Sequence, residues 1–209
     1  MALLLVCSDL HGSEEALGVL RKAERETRPD AVIACGDFTT YGSADYMRRV
    51  LDNFEADLLG VPGNCDTDEM LRMLEDSGGS LHAKRVRKAG HDLFGFGGGL
   101  PSSMHMPFEV EEDDMVAGLR SVAAREGVMV THTPPKGAND LNRSGRHLGS
   151  EGVMGVVQEF RPRLVLSGHI HEARGELTKD GTLFVNPGPA REGRYATIEL
   201  GQTLEARLF

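Results

Sequence analysis

Leu3-Leu4-Leu5-Val6-Cys7-Ser8-Asp9-Leu10-His11-Gly12-Ser13-Glu14-Glu15 is the stretch that decides the fold. Leu3 to Val6 is a continuous apolar run, as in a strand buried on both faces. Ser13 before two glutamates is a helix start, and Ala16, Leu17, Leu20 and Ala23 continue it at helical spacing. Between strand and helix lies a polar loop carrying Asp9 and His11. The same unit returns with Ala31-Val32-Ile33-Ala34, a loop through Gly36 and Asp37, and Ser43 opening a helix with Met47, Val50, Leu51 and Phe54 on its apolar face. It returns again with Leu58-Leu59-Gly60-Val61, the loop Gly63-Asn64-Cys65-Asp66, and Met70, Leu71 and Leu74. Strands alternating with helices predict an α/β fold, with a parallel sheet covered by helices.

After Gly78-Gly79 the pattern changes. Leu81 to Lys88 and Asp92 to Phe96, separated by Ala89-Gly90-His91, read as a hairpin, so the sheet is expected to be mixed. A polar loop from Gly97 to Phe108 precedes a helix with Met115, Val116, Leu119 and Val122, and Val128-Met129-Val130 is the next strand. A second long loop, Thr133 to Ser150, leads to a helix through Val153, Val156, Val157 and Phe160, then to the buried strand Leu164-Val165-Leu166. The tail from Arg174 reads as strands turning at Asp180-Gly181 and Gly201-Gln202. Loops this long in a compact chain are commonly substrate-binding loops or variable surface decoration, and the sequence leaves both open.

A chain of 209 residues, 40% hydrophobic and 26% charged, has globular composition and is long enough to bury its core as one domain spanning residues 1–209. The net charge of −9 argues against a nucleic-acid groove, which gains affinity from cationic neutralisation of phosphates. Cys7, Cys35 and Cys65 are odd in number and lack CxxC spacing, which fits free thiols in a reducing cytoplasm. Ala2 to Val6 has no basic lead and is too short for a signal-peptide core. No apolar stretch approaches the roughly 20 residues of a membrane helix.

Asp9, Asp37, Asn64, His132 and His169 each fall just past an apolar strand. In an open α/β sheet the loops beyond the strand ends line one crevice, so residues distant in sequence are expected to meet there. Imidazole nitrogen and carboxylate oxygen suit manganese, iron, zinc, cobalt or nickel, and asparagine adds a neutral carbonyl oxygen. His169 and His171 are expected to project differently along an extended segment, with glycines 12, 36, 63 and 168 permitting tight turns.

The ordered set Asp9-x-His11, Gly36-Asp37, Gly63-Asn64, His132 and Gly168-His169-Ile170-His171 resembles the calcineurin-like metallophosphoesterase family. The resemblance runs from Leu3 to about Pro189 and includes the turn Asn186-Pro187-Gly188. It implies two packed mixed β-sheets flanked by helices, a four-layer αββα sandwich. It also implies two divalent metal ions, manganese first among the candidates. Asp9, His11 and His171 would hold one ion and Asn64, His132 and His169 the other, with Asp37 bridging. The implied activity is hydrolysis of a phosphate ester by in-line attack of a metal-bridged hydroxide.

Cys65 departs from the pattern, because much of the family carries histidine after Gly-Asn, with the following Asp, here Asp66, orienting it. A thiol is a poorer proton donor than an imidazolium. Gly63-Asn64-Cys65-Asp66 resembles the small prokaryotic phosphodiesterase branch of the family, which points to diesters with good leaving groups. Cys65 and Asp66 are accordingly the candidate catalytic positions, with a space-filling Cys65 as the alternative. Asp66 is also a candidate partner for a metal-binding histidine.

Arg143, Arg146 and His147 form a basic stretch that would meet the substrate phosphate or its leaving group, beside Asn64, or else belong to a solvated loop. His82, His91 and His105 show no ligand spacing and read as structural or surface residues; Tyr41 reads as packing, or as pointing into the crevice. The leading expectation is a phosphodiesterase acting on a small phosphate ester, with no membrane and no nucleic-acid partner. A nuclease and a non-catalytic protein-binding scaffold of the same fold are the competing readings. A homo-oligomer is compatible with the sequence.

Overall fold

A computed structural model describes residues 1–209 in full. The first three units form β1 (Ala2–Cys7), α1 (Glu14–Thr27), β2 (Ala31–Ala34), α2 (Ala44–Leu51), β3 (Leu58–Gly60) and α3 (Asp68–Asp76). Ser13 and Ser43 cap their helices, accepting the N–H of Ala16 and of Tyr46. The hairpin follows as β4 (Lys84–Lys88) and β5 (His91–Phe96), then α4 (Glu112–Val122), β6 (Val128–Thr131), α5 (Glu151–Phe160) and β7 (Leu164–Leu166). The tail is β8 (Gly175–Lys179), β9 (Thr182–Asn186), β10 (Ala196–Leu200) and β11 (Leu204–Leu208).

These strands make two mixed sheets. One is ordered β11-β10-β1-β2-β3, its β1, β2 and β3 parallel; the other is ordered β4-β5-β6-β7-β9-β8, parallel from β5 through β9. The hairpin's first strand begins at Lys84 rather than Leu81, because Ala83 sits at φ 51 and breaks the extended run. As an edge strand, Lys84-Arg85-Val86-Arg87-Lys88 is charged at four of its five positions, which disfavours further strand pairing.

Alternation along each strand explains the four layers. Leu4, Val6 and Ile33 face Leu93, Val130, Leu166 and Val185 in the core between the sheets. Leu5, Cys7 and Val32 point the other way, onto Leu17, Leu20, Met47 and Leu74 of the first three helices. Phe94, Met129 and Val165 pack under Met115, Leu119, Val153 and Val156 of α4 and α5. Both faces of each central strand are therefore apolar, which is why the strands read as unbroken hydrophobic runs. The parallel strands of the two sheets end at one rim of the sandwich.

Candidate metal centre and substrate cleft

The loops after β1, β2 and β3 bring Asp9, His11, Asp37 and Asn64 to that rim from one sheet, and those after β6 and β7 bring His132, His169 and His171 from the other. His171 Nε2 lies 3.2 Å from Asp9 Oδ1 and 3.4 Å from His11 Nε2. Asp37 Oδ2 lies 3.6 Å from His11 Nε2 and 3.5 Å from His132 Nε2, while its Oδ1 accepts the Cys65 N–H at 2.8 Å. Asn64 Oδ1 is 2.9 Å from His132 Nε2, and the His132 and His169 rings meet edge to face with centroids 4.9 Å apart. The sites Asp9–His11–His171 and Asp9–Asp37–His132 each place three donor atoms within 4.8 Å of one another, and Cys65 joins His11 and Asp37 in a third such group.

Two glycines permit the close approach. A Cβ on Gly63 would lie 2.0 Å from Asp37 Oδ1, and one on Gly168 would lie 1.8 Å from Ser8 Oγ and 2.8 Å from Asp9 Oδ2. Asp9 (φ 57), His11 (φ 49), Asp37 (φ 54) and His169 (φ 67) are all left-handed without being glycine. Each such conformation costs about 1–3 kcal/mol, and this kind of strain gathers at functional sites. His169 and His171 are not on an extended segment as the sequence suggested. His169 is left-handed and His171 opens a 3-10 turn over His171–Ala173, so the turn and not strand alternation separates their rings.

Electrostatics match the geometry. Burial works against the Asp9 and Asp37 carboxylates, but the surrounding histidines overcome it and hold both below the usual range. Burial likewise works against a charge on His132, yet the Asp37 carboxylate raises it to about 9. His169 is lowered to about 4 by burial and by His132. Buried carboxylates and imidazoles converge here with their lone-pair atoms facing each other, a donor set that fits divalent cations of borderline softness. His132 Nδ1 is held at 2.7 Å by the Cys35 carbonyl, leaving Nε2 to face the cluster.

Asp66 is not a histidine partner. Its buried carboxylate accepts the N–H groups of Phe38, Thr39 and Gly63 and the Thr39 hydroxyl, and so ties the Asp37 loop to the Gly63 loop. Burial and the Asp37 charge raise it to about 7, against the pull of those backbone donors. The Cys65 thiol is pushed far above its ordinary value by burial and then by Asp37.

A cleft of about 570 Å³ opens beside Asn64 and His169, between the 97–108 and 133–150 loops. His147 lines it, whereas Arg143 and Arg146 lie outside the lining, exposed around a small turn closed by Asn142 N–H to Arg146 O. Tyr41 is exposed rather than packed, its hydroxyl 3.9 Å from the Sδ of Met106, a residue of the cleft lining. His82 is structural, its Nδ1 accepting the Gly97 N–H and its ring lying on Phe96. Two residues escaped the sequence reading. Arg191, just past the Asn186-Pro187-Gly188 turn, reaches His171 Nδ1 at 3.2 Å, and the buried Asp140 holds His147 Nδ1 at 2.8 Å. Asp140 lies only seven positions before His147, but nothing in a polar loop distinguishes such a pair from any other.

The chain belongs to the calcineurin-like phosphoesterase family, whose profile matches residues 2–173. The family supports a phosphoester hydrolase that binds divalent metal. Over 204 residues the chain is 29% identical to the uncharacterized protein MJ1162 of Methanocaldococcus jannaschii, covering 91% of this chain and 89% of that protein. The protein TT1561 of Thermus thermophilus has the same fold, with a TM-score of 0.77 and 20% identity over 99% of this chain and 98% of the other. A structure described as a novel archaeal phosphodiesterase aligns with a TM-score of 0.61 and 16% identity, covering 99% of each chain. No helix is long and apolar enough to cross a membrane.

Proposed function

We propose that residues 1–209 act as one calcineurin-like domain that hydrolyses small phosphodiesters at a dinuclear centre, with manganese the first candidate metal. The observation that carries this reading is Asp37 Oδ2, placed between His11 Nε2 and His132 Nε2 at 3.6 and 3.5 Å. A carboxylate so placed can serve two ions, one held with Asp9, His11 and His171 and the other with Asn64, His132 and His169. When bound, such ions supply Lewis acidity toward the phosphoryl oxygens and activate water for in-line attack.

The chain's own groups do the rest. Asp66 fixes the two loops that present Asp37 and Asn64. Cys65 occupies the place of the usual donor, and a thiol is a poorer proton donor than an imidazolium, which supports a preference for good leaving groups. The net charge of −9 and a cleft lined by neither Lys nor Arg support a small ester over a polynucleotide. Arg143 and Arg146 lie outside the cleft lining and would meet only a part of the substrate that extends beyond it. Three buried free thiols accord with a reducing cytoplasm. Metal analysis of the purified protein, with hydrolysis of bis(p-nitrophenyl) phosphate, p-nitrophenyl phosphate and single-stranded DNA in manganese, tests the reading. Two ions per chain and preferred turnover of the diester are expected. Preferred cleavage of DNA, or a metal-loaded protein that turns over nothing, would replace it with a nuclease or a scaffold.

A further inference from the structure

We infer that His147, oriented by Asp140, is the proton donor to the leaving group; the inference rests on the proposed ester hydrolysis. Asp140 is 1% exposed and accepts three N–H groups: His147 Nδ1 on Oδ1 at 2.8 Å, and the Gly137 and Gly149 amides on Oδ2 at 3.0 and 3.2 Å. The two amides fix the carboxylate, and the carboxylate fixes the imidazole. A buried carboxylate bonded to one ring nitrogen sets the tautomer and frees the other nitrogen for proton transfer. The His147 side chain is 47% exposed, and Nε2 is the ring nitrogen that Asp140 does not hold.

Its position supports the same role. His147 lines the cleft together with Asn64 and His169, the residues through which that cleft meets the metal centre. The 140–148 segment is itself closed by the Leu148 N–H to Asp140 O and Asn142 N–H to Arg146 O bonds, so the histidine stands on an ordered turn. The other ionisable groups facing the cleft are Glu109 and Glu172. Glu109 is occupied by the Ser102 N–H and hydroxyl, and Glu172 by the Arg143 N–H. His169 belongs to the ligand cluster. His147 is thus the imidazole left for acid–base work.

In the step assigned to it, water oxygen bonds to phosphorus as the bond from phosphorus to the leaving oxygen breaks. The Nε2 proton of the His147 imidazolium passes to that oxygen, releasing the alcohol and leaving a neutral ring that keeps its Nδ1 proton on Asp140. The proton lost by the attacking water balances the one donated, and the ring is reprotonated from solvent. General acid catalysis of this kind contributes about 10²–10⁴-fold, and more as the leaving group becomes more basic.

The test compares the manganese-loaded wild type with His147→Gln and Asp140→Asn on two diesters, methyl p-nitrophenyl phosphate and methyl phenyl phosphate. His147→Gln is expected to slow the phenyl ester about 100-fold in kcat while changing the p-nitrophenyl ester far less. Asp140→Asn is expected to act in the same direction, more weakly, as a positioning residue. Equal slowing of both esters would assign His147 to binding or structure, and unchanged rates would remove it from the reaction; either overturns the inference while leaving the hydrolase intact. A wild type that turns over neither ester overturns the hydrolase reading, and the donor role with it.

Discussion

Asp37 divides its two oxygens between two tasks: Oδ1 accepts the Cys65 N–H at 2.8 Å, and Oδ2 is left facing His11 and His132. The first bond fixes the direction of the second oxygen, so the carboxylate cannot rotate without abandoning a buried amide. Asp37→Asn keeps the shape and loses the charge that both histidines face. It is expected to reduce bound manganese below two ions per chain and to lower kcat by about 100-fold or more, as loss of a centre that activates water and acts on the phosphoryl group requires, read by metal analysis and bis(p-nitrophenyl) phosphate turnover. Full metal content with unchanged turnover would remove the bridging role.

Metal removal has a stability signature. Asp9 and Asp37 are buried carboxylates in one cluster, and cations bound only by the folded state stabilise it by mass action, about 2.7 kcal/mol at one hundred times Kd. Chelation is expected to lower the Tm and excess manganese to restore it, the shift shrinking in Asp37→Asn. A Tm indifferent to chelator would argue against a metal centre.

Gly168→Ala places a methyl group 1.8 Å from Ser8 Oγ and 2.8 Å from Asp9 Oδ2. Overpacking of this kind costs about 1–3 kcal/mol, and here it also displaces a candidate ligand. The variant is expected to unfold at lower urea and to bind manganese more weakly than wild type. Preserved affinity at reduced stability would show that Asp9 does not move.

Cys65→His restores an imidazole at the position of the thiol. The variant is expected to retain both ions and, in a His147→Gln background, to recover part of the lost turnover of methyl phenyl phosphate. Complete inactivity of the single variant would instead assign Cys65 a steric role that histidine violates.

His82 carries a pH dependence of stability that is independent of the metal cluster. Burial lowers it to about 4 from the ordinary value of 6.5, and its Nδ1 can accept the Gly97 N–H only while unprotonated. The unfolded chain therefore takes up this proton first. Stability is complete above about 6.5 and falls as the pH drops from there toward 4. In chelator, the urea midpoint of wild type is expected to fall more steeply from about pH 7 to about pH 5 than that of His82→Gln, whose amide oxygen accepts the same N–H without titrating. Parallel curves would show that His82 is not responsible.

The individual strands and helices were legible because apolar runs and serine caps are local signals: Ser13 and Ser43 cap the helices they appeared to start. The convergence of Asp9, Asp37, Asn64, His132 and His169 followed from strand ends alone. What stayed hidden depends on long-range neighbours. Asp66 binds amides up to 28 positions away, and Asp140 differs from the other acids of the chain only in the cage formed around it. The left-handed backbone at Asp9, His11, Asp37 and His169 is equally invisible, since none of these residue types requires it and only the assembled rim imposes it.

The candidate ligands come from both sheets, four from the loops of β1 to β3 and three from those of β6 and β7. Ions at this rim would add a rivet between two slabs joined by side-chain packing and by a few hydrogen bonds, among them His132 Nδ1 with the Cys35 carbonyl and Gly98 N–H with the Pro62 carbonyl. Metal uptake should therefore slow amide exchange deep in the sandwich, in β1 and β6, and a sequence change that slides one slab against the other would first appear as lost metal affinity, well before the protein unfolds.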